Sequence, residues 1–311
     1  MIDAKEREVE GVKGEELQKF LDDVLAVLVL YRRDLAAAET FSSLSRALDK
    51  SGSSLELLVY DNSPAPMVSA GGRYPGWRIH HIHDPENPGV SRAYNEGFRL
   101  AERLGKKWLL LLDQDTVFPD DALSVYCRGI AEYRDMALFA PVLMASGRIC
   151  SPCHYRFRTG FHPGSAAPGV HPFHGRAVLN SGMLVAVDAF ARCGGFDERI
   201  GLDFADFAFN NRLRRFYDKF CVLPMECSHG FSGAEDAGID AVLQRFRLYC
   251  EGGRRSIDGV FAAICLTLVV LVRCLRLTFR FRSLRFPVGY LRHFVGGTRN
   301  EERGARSEER G

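Results

Sequence analysis

Apolar and polar positions alternate in two different ways along the first third of the chain. Runs without a polar interruption predict strands that are buried on both faces, and they occupy residues 24–30, 55–60 and 108–112. Residues 32–48 and 90–104 instead carry apolar positions at helical spacing, and a shorter strand is predicted at 78–82. Alternating strands and helices are typical of an α/β fold with a doubly wound, mostly parallel sheet.

The second half of the chain follows a different pattern. Residues 137–177 are rich in Pro, Gly and His and predict a long loop region. A strand interrupted by Asn180-Ser181-Gly182 is predicted over residues 178–187. A helix is expected over residues 203–216, and a short strand is expected to begin at Val222 and end near Gly230.

The buried run at 108–112 leads directly into Asp113-Gln114-Asp115. Parallel sheets bind ligands at the carboxyl ends of their strands, and side chains two residues apart on a strand point to the same side. Two converging carboxylates repel each other unless a cation or a proton lies between them, and Mg²⁺ is typically held by carboxylates together with substrate phosphates. The pattern indicates a metal-assisted diphosphate site, although Asp is also common here as a turn or capping residue.

Asp61 follows the run at 55–60 in the same way. We expect it at the carboxyl end of a strand that neighbours the strand of Asp113, which is where such a sheet binds a nucleotide. Its neighbours Asn62, Ser63 and Pro64 also favour a simple turn, so a structural role is the alternative.

Several further motifs occur in a fixed order along residues 24–255. They are Asp61-Asn62, Asn87-Pro88-Gly89-Val90-Ser91 with Asn95-Glu96-Gly97, Asp113-Gln114-Asp115, Gly194-Gly195-Phe196-Asp197-Glu198, Asp203-Phe204-Ala205-Asp206 with Arg212, and Ser228-His229-Gly230. This series resembles a family 2 glycosyltransferase of the GT-A fold. The Asp-Gln-Asp form and the stretch from Leu179 to Asp206 resemble its bacterial rhamnosyltransferases most closely.

The resemblance implies an inverting transfer of a sugar from a nucleotide diphosphate donor to a hydroxyl group of a saccharide acceptor. The first expectation for the donor is dTDP-rhamnose, and uridine diphosphate sugars come next. By the same resemblance, Asp61, Asn87, Asp113 and Asp203 would bind the nucleotide sugar. The expected domain spans residues 23–256, with a nucleotide half at 23–135 and an acceptor half at 136–256, after a polar N-terminal extension at 1–22.

Metal binding and catalysis are assigned by the same resemblance. Asp115 would hold Mg²⁺ or Mn²⁺ under the diphosphate, His229 would complete that site, and Asp206 would act as the base. A metal offsets the charge that develops on a departing diphosphate, and one carboxylate suffices to take the acceptor proton. Asp203 and Asp206 are three residues apart and would share one helix face, although both could simply cap that helix and His229 could be purely structural.

Two rival functions use the same residues. The run from Leu109 to Val117 also fits the signature of haloacid dehalogenase-type phosphatases, in which Asp113 would be the nucleophile. That motif normally follows the first strand of its domain, whereas at least two strands precede it here. The other rival is a catalytically inactive, membrane-docked binding protein.

The charge is distributed unevenly along the chain. Residues 252–311 contain twelve Arg, no Lys and five acidic residues, whereas the whole chain has a net charge of only +2. The apolar run Val260–Val272 has thirteen residues, fewer than the about 20 that span a bilayer, and Arg273, Arg276 and Arg280 follow at helical spacing. We expect amphipathic basic helices over 257–295 that lie on an anionic membrane, with burial and spanning as alternatives.

The same charge distribution gives the expected partners and location. A disordered tail is predicted at 296–311. The acceptor is expected to be a saccharide or a lipid-linked oligosaccharide, and no nucleic-acid partner is expected. The first twenty residues lack a secretory pattern, so we expect a cytoplasmic protein that is peripheral on the inner face of the cell membrane.

Nine cysteines in such a protein are expected to be reduced thiols. Cys150 and Cys153 have the spacing found in covalent haem attachment, and with His171 and His174 they could also bind zinc. Ordinary surface residues are the favoured interpretation of this cluster.

Overall fold

The computed structural model describes residues 12, 14–68, 72–230 and 238–296. The predicted tail at 296–311 lies outside this part of the chain except for Gly296, as do most of residues 1–13 of the predicted N-terminal extension.

Strands and helices alternate up to residue 132 and then give way to a series of short strands. The strands are β1 (Val24–Leu30), β2 (Leu55–Asp61), β3 (Trp77–His83), β4 (Trp108–Asp113), β5 (Thr116–Val117), β6 (Leu138–Ala145), β7 (Arg148–Ser151), β8 (Cys153–Arg156), β9 (Thr159–Phe161), β10 (Gly169–Pro172), β11 (Arg176–Ala177), β12 (Met183–Ala186) and β13 (Lys219–His229). The helices are α1 (Gly14–Asp22), α2 (Glu39–Ser51), α3 (Val90–Arg103), α4 (Ala122–Glu132), α5 (Val187–Arg192), α6 (Ala205–Leu213), α7 (Ile239–Arg255), α8 (Val260–Phe281) and α9 (Arg285–Tyr290). A 3₁₀ turn (Leu35–Ala37) precedes α2, and a π-helical turn (Leu291–Val295) follows α9.

One large sheet organises the molecule, with the strand order β10-β13-β6-β12-β4-β1-β2-β3. β1, β2, β3 and β4 pair in parallel, and β6 and β13 also pair in parallel with each other. β12 is antiparallel to both β4 and β6, and β10 is antiparallel to β13. The predicted α/β fold with a mostly parallel sheet is confirmed.

Two apolar layers cover the two faces of this sheet. Along β1, Leu25, Val27 and Val29 belong to one core cluster, whereas Ala26 and Leu28 belong to the other. Successive side chains of a strand point to opposite faces, so a strand that is covered on both sides must be apolar at every position. This is why β1, β2 and β4 lack polar alternation.

Several predicted boundaries are wrong. The helix expected from residue 32 begins only at Glu39, because a 3₁₀ turn capped by the Asp34 side chain precedes it. The loop expected over 137–177 contains β6 to β11, whose short antiparallel pairs include a second sheet in the order β11-β8-β9. The strand expected from Val222 begins at Lys219 instead.

Helix α8 divides into two apolar faces. Ala262, Leu266 and Val270 are buried in the core, whereas the opposite face is exposed. We call this exposed face the α8 strip, and it consists of Val260, Phe261, Ile264, Leu268, Val272, Leu275 and Phe279.

The apolar segment of α8 is also longer than the sequence run indicates. The helix has 22 residues with a mean hydropathy of 2.3, and a third (33%) of its most apolar window is buried. Within the described ranges it is the one helix that meets the length and composition of a membrane span. The expectation that this segment is too short to span is therefore wrong on length alone.

Candidate active site

A cavity of about 1160 Å³ opens at the carboxyl edge of the parallel strands. The loop after β4, the start of α6 and one side of α7 form part of its wall. Six of the seven predicted site residues line it, namely Asn87, Asp113, Asp115, Asp203, Asp206 and His229. Asp61, the seventh, does not line it.

Asp113, Asp115 and His229 come together in this cavity. One ligand atom from each lies within 4.8 Å of the others, and no other such group of three is found among the described residues. β13 delivers His229, because its last residues pair with β5 directly after Asp115. The Gly230 N–H also donates to the Asp115 carbonyl oxygen at 2.8 Å.

The chemistry of this trio fits a divalent ion. Oδ1 of Asp115 lies 3.7 Å from Nδ1 of His229, and the two side chains are only 12% and 9% exposed. Burial and the neighbouring Asp113 carboxylate raise the pKa of Asp115, against the opposing effect of His229. A divalent cation would offset this repulsion, and carboxylate oxygens with an imidazole nitrogen suit Mg²⁺ or Mn²⁺.

Two hydroxyl groups orient the Asp113 carboxylate. Tyr94 Oη donates to Oδ1 at 2.9 Å, and Ser181 Oγ donates to Oδ2 at 2.6 Å. Burial, followed by the charge of Asp113, raises the pKa of Tyr94 well above its ordinary value, so its phenol stays a donor. Neither Tyr94 nor Ser181 was a candidate from the sequence, although the polar break at Asn180-Ser181-Gly182 was a signal for the second.

His229 is fixed by a chain of hydroxyl contacts. Thr116 Oγ1 lies 2.9 Å from Nδ1 of His229, and the Thr116 N–H donates to Thr40 Oγ1 at 2.9 Å. Thr116 is fully buried. The position of this residue directly after Asp115 was the only indication in the sequence that it contributes to the site.

Asp206 lies deep in the cavity and is buried. Its Oδ1 has no hydrogen-bond partner in the described structure. Burial raises its pKa well above the ordinary value, the Asp113 and Asp203 carboxylates act in the same direction, and a hydrogen bond from the Asn180 backbone opposes them. A carboxyl group with a raised pKa and one unused oxygen can accept a proton from a nearby hydroxyl.

The backbone before Asp206 differs from the expected helix. α6 begins at Ala205, and Phe204 adopts a left-handed conformation with φ of 70°, which is uncommon for a residue with a side chain. Asp203 therefore precedes the helix, and the expectation that it shares a helix face with Asp206 is wrong. Its Oδ1 accepts a hydrogen bond from Arg245 Nη2 at 2.9 Å, whereas its Oδ2 has no partner within the described part.

Asp61 is fully buried and engaged by its own loop. Its Oδ1 accepts from the Ser63 N–H at 3.0 Å, and its Oδ2 accepts from the Met67 N–H at 2.6 Å. β1 lies between β2 and β4, so the strands of Asp61 and Asp113 are not neighbours as expected. The adjacent Asn62 does reach the cavity wall.

Asn87 lies on a tight loop that borders the cavity. It has a φ of 49°, and Gly89 has a φ of 96°. A Cβ on Gly89 would lie 2.0 Å from the Gly201 carbonyl oxygen, which instead accepts from the Val90 N–H at 2.7 Å. Gly89 is therefore required by the close approach of two loops as well as by its backbone conformation.

The cysteine–histidine cluster is not brought together as a metal site. Cys150 and Cys153 are buried beside the cavity, so the expectation that they are surface residues is wrong. His171 and His174 do not join them in any metal-binding group within the described ranges. Burial raises the pKa of Cys150 to about 11 and that of Cys153 to about 12, so both are thiols rather than thiolates at neutral pH.

Comparison with known proteins identifies part of the chain. Residues 26–143 match the family model "Glycosyl transferase family 2". The matched segment begins in β1, ends in β6 and includes Asp61, Asn87, Asp113 and Asp115. The chain therefore carries a glycosyltransferase family 2 segment, and its α/β architecture is consistent with the GT-A fold.

Solved structures similar to the chain include those of S. aureus TarS. The structure of TarS residues 1–349 is 12% identical with a TM-score of 0.45, over 83% of this chain and 72% of that one. The complex of the same fragment with UDP-GlcNAc is 12% identical with a TM-score of 0.46, over 83% and 73%. A structure titled simply S. aureus TarS gives 12% and 0.47, over 83% and 44%. No curated protein matches the sequence.

Proposed function

We propose that this protein transfers a sugar from a nucleotide diphosphate donor to a hydroxyl group of a saccharide acceptor. The observation that carries the proposal is that Asp113, Asp115 and His229 converge in the same cavity as Asp206. A site that holds a diphosphate through a divalent ion needs the first three groups, and a transfer to a hydroxyl needs the fourth. The family 2 segment that contains Asp113 and Asp115 supports the same function.

Each group has a distinct task in this proposal. Asp115 and His229 would hold Mg²⁺ or Mn²⁺, which when bound offsets the charge on the departing diphosphate. Asp113 is held by Tyr94 and Ser181 and would contribute to the nucleotide side of the site, with Asn87 on the facing loop. Asp206 would receive the proton of the acceptor hydroxyl, and inversion follows from attack opposite the leaving diphosphate.

The finer specificity rests on the sequence motifs. The Asp113-Gln114-Asp115 motif and the stretch up to Asp206 resemble rhamnosyltransferases, which favours dTDP-rhamnose as donor, ahead of uridine diphosphate sugars. Asp61 would bind the nucleotide only if its loop rearranged, because both of its oxygens already accept backbone hydrogen bonds. Asn62 is better placed for direct contact in the present conformation.

The C-terminal region supports a membrane-bound acceptor. Residues 252–296 contain eight Arg and a single acidic residue, and the α8 strip exposes Val260 by 79% and Phe279 by 78%. An exposed apolar helix face beside positive charge fits a helix lying in the surface of an anionic bilayer. We therefore propose a cytoplasmic enzyme that is peripheral on the inner face of the membrane and acts on a lipid-linked saccharide.

A thermal-shift screen tests the donor site. Nucleoside diphosphates of thymidine, uridine, guanosine and adenosine are each added with Mn²⁺ or with EDTA. We expect one nucleotide to raise Tm only when the metal is present. Equal stabilisation in EDTA, or no stabilisation by any nucleotide, would contradict the proposal.

A flotation assay tests the membrane location. Vesicles with and without phosphatidylglycerol are mixed with the protein and with the variant Leu268→Glu, whose new charge lies in the middle of the α8 strip. We expect binding only to anionic vesicles, and weaker binding by the variant. Exposed Leu104, outside the strip, provides the matched control Leu104→Glu.

The phosphatase alternative predicts a different product. A phosphatase that uses Asp113 as nucleophile would hydrolyse a simple phosphomonoester in the absence of any nucleotide sugar. A catalytically inactive binding protein would bind the nucleotide without turnover. Measurement of both reactions with the same preparation separates the three functions.

A further inference from the structure

A second, smaller cavity lies beside the catalytic one, at the start of α8. It has a volume of about 200 Å³, and five arginines line it, which we call the arginine pocket: Arg158, Arg199, Arg212, Arg215 and Arg255. Two aspartates share the same wall. The volume is below the roughly 300–1,000 Å³ of sites for drug-sized ligands, so the cavity suits a small anionic group.

The two aspartates do not balance the arginines. Asp258 pairs with Arg158 at 2.5 Å, and Asp197 pairs with Arg199 at 2.8 Å and with Arg212 at 3.2 Å. The remaining two arginines have no carboxylate partner in the described structure. Arg255 donates to the backbone carbonyl of Arg199, and Arg215 is exposed without a hydrogen bond to its guanidinium.

The arginine pocket is continuous with the catalytic cavity. Arg199, Phe204, Phe207 and Arg255 line both cavities. Phe207 directly follows Asp206 in α6. A ligand whose anionic group lies among the arginines can therefore extend a neighbouring group towards Asp206.

The opposite side of the pocket leads to the α8 strip. Ile257 and Asp258 belong to the pocket wall and stand just before Val260 and Phe261, the first residues of the strip. Phe157, which is 62% exposed, is adjacent to Arg158 in the turn between β8 and β9. Apolar surface thus begins where the arginine pocket ends.

We infer that the arginine pocket binds the phosphate or diphosphate group that joins an acceptor saccharide to an apolar chain. The saccharide lies in the catalytic cavity and the apolar chain lies along the α8 strip. Arginine is suited to this role, because its planar guanidinium binds phosphate oxygens through two hydrogen bonds. The inference rests on the proposed function and specifies how its acceptor is recognised.

Binding of three probes to the full chain tests this inference. Farnesyl diphosphate, farnesol and inorganic pyrophosphate are titrated in neutral detergent micelles, with EDTA present so that no metal-dependent diphosphate binding contributes. We expect farnesyl diphosphate to bind most tightly, because it alone satisfies both the arginines and the apolar strip. Arg215→Gln is expected to weaken this binding by roughly tenfold, the usual worth of a charged hydrogen bond, and Arg215→Glu more strongly.

The matched control is Arg103→Gln, with Arg103→Glu beside it, since Arg103 is also exposed and ends α3 outside both cavities. These variants should bind all three probes as the natural protein does, and farnesol binding should be unchanged in every variant. Equal binding of farnesyl diphosphate by the Arg215 and Arg103 variants, or no preference over farnesol, would overturn the inference.

Two further measurements separate the possible causes. Vesicles of phosphatidylcholine with phosphatidylglycerol test whether the pocket instead reads membrane headgroups. If Arg215→Glu lost only vesicle binding, beyond any loss in Arg103→Glu, the acceptor role would be wrong. Thermal shift with Mn²⁺ and nucleoside diphosphates is measured on the same variants. Normal nucleotide binding without any effect of Arg215 would refute the pocket alone, whereas absence of nucleotide binding in the natural protein would refute the proposed function itself.

Discussion

The metal-binding end of the cavity and the Asp206 end are built in opposite ways. Asp113, Asp115 and His229 follow strands of the main sheet and are surrounded by hydroxyl groups from Tyr94, Ser181 and Thr116. Asp206 follows a strained loop, and its Oδ1 has no partner in the described part of the chain. The first arrangement fixes charged groups in place for a cation, whereas the second leaves one carboxyl group unsatisfied for a proton.

Removal of the carboxyl group of Asp206 should give the largest loss of turnover. We expect Asp206→Asn to lower kcat by roughly 10³-fold, the usual contribution of a positioned general base. Metal-dependent nucleotide binding should be retained, because Asp206 is not in the metal trio. Steady-state kinetics with thermal shift measures both, and Asp135→Asn on an exposed loop is the control.

The same variant should also reveal the cost of burying Asp206. The raised pKa means that Asp206 favours folding fully at pH below its ordinary value of 3.8 and that this stability is lost as pH rises towards its folded pKa. The gain in Tm of Asp206→Asn over the natural protein should therefore grow from pH 4 to pH 8. A gain that is constant with pH would mean that burial does not perturb this carboxyl group.

Loss of the Asp115 charge should act on the other end of the cavity. Asp115→Asn is expected to abolish stabilisation by Mn²⁺ with nucleotide and to lower kcat/KM by roughly 10²-fold or more, as for loss of one group that stabilises a leaving charge. Exposed Asp120 provides the control variant Asp120→Asn. Unaltered metal dependence in Asp115→Asn would remove the basis for the metal site.

The hydroxyl groups around Asp113 should have smaller effects. Tyr94→Phe removes one hydrogen bond to the carboxylate, and we expect the nucleotide Kd to rise by roughly tenfold, as for loss of a hydrogen bond to a charged group. Asp206 is not contacted by this phenol, so kcat should change less than the Kd. Tyr74→Phe is a matched control, because Tyr74 packs against Phe41 and does not line the cavity.

A glycine in α7 provides the smallest test and separates shape from charge. A Cβ on Gly252 would lie 2.6 Å from the Asp203 carbonyl oxygen, so Gly252→Ala should lower the free energy of unfolding by about 1–3 kcal/mol through overpacking. Urea unfolding measures this change. Gly164→Ala, which meets no atom within 4 Å, should have little effect.

The same contrast explains what could be predicted from the sequence. A strand such as β4 is buried on both faces, so its apolar run and the carboxylates after it are visible in the residue pattern alone. His229 is 113 residues away from Thr116, and only its family motif marked it as a partner of Asp115. Tyr94 and Ser181 carry no local signal for their contacts with Asp113, because those contacts depend on how α3 and β12 pack against β4.

The region after β6 was predicted least well. Its strands have two to four residues in most cases, too few to show alternation above the background of Pro, Gly and His. Their pairing is set by long-range contacts such as the hydrogen bonds between Asn210 and the backbone of Val178. Helix α8 was shortened for a related reason, because the arginines after Val272 continue the same helix rather than end it.

The reversed direction of β12 has a consequence for how this molecule could diversify. A strand that runs against its neighbours opens, rather than closes, at the carboxyl edge, so the residues that lead into it face the ligand. Ser181 occupies that entrance, and Gly182 anchors it by donating its N–H to the Leu111 carbonyl at 2.8 Å. Substitutions at this doorway can retune substrate choice while the remainder of the sheet keeps its register.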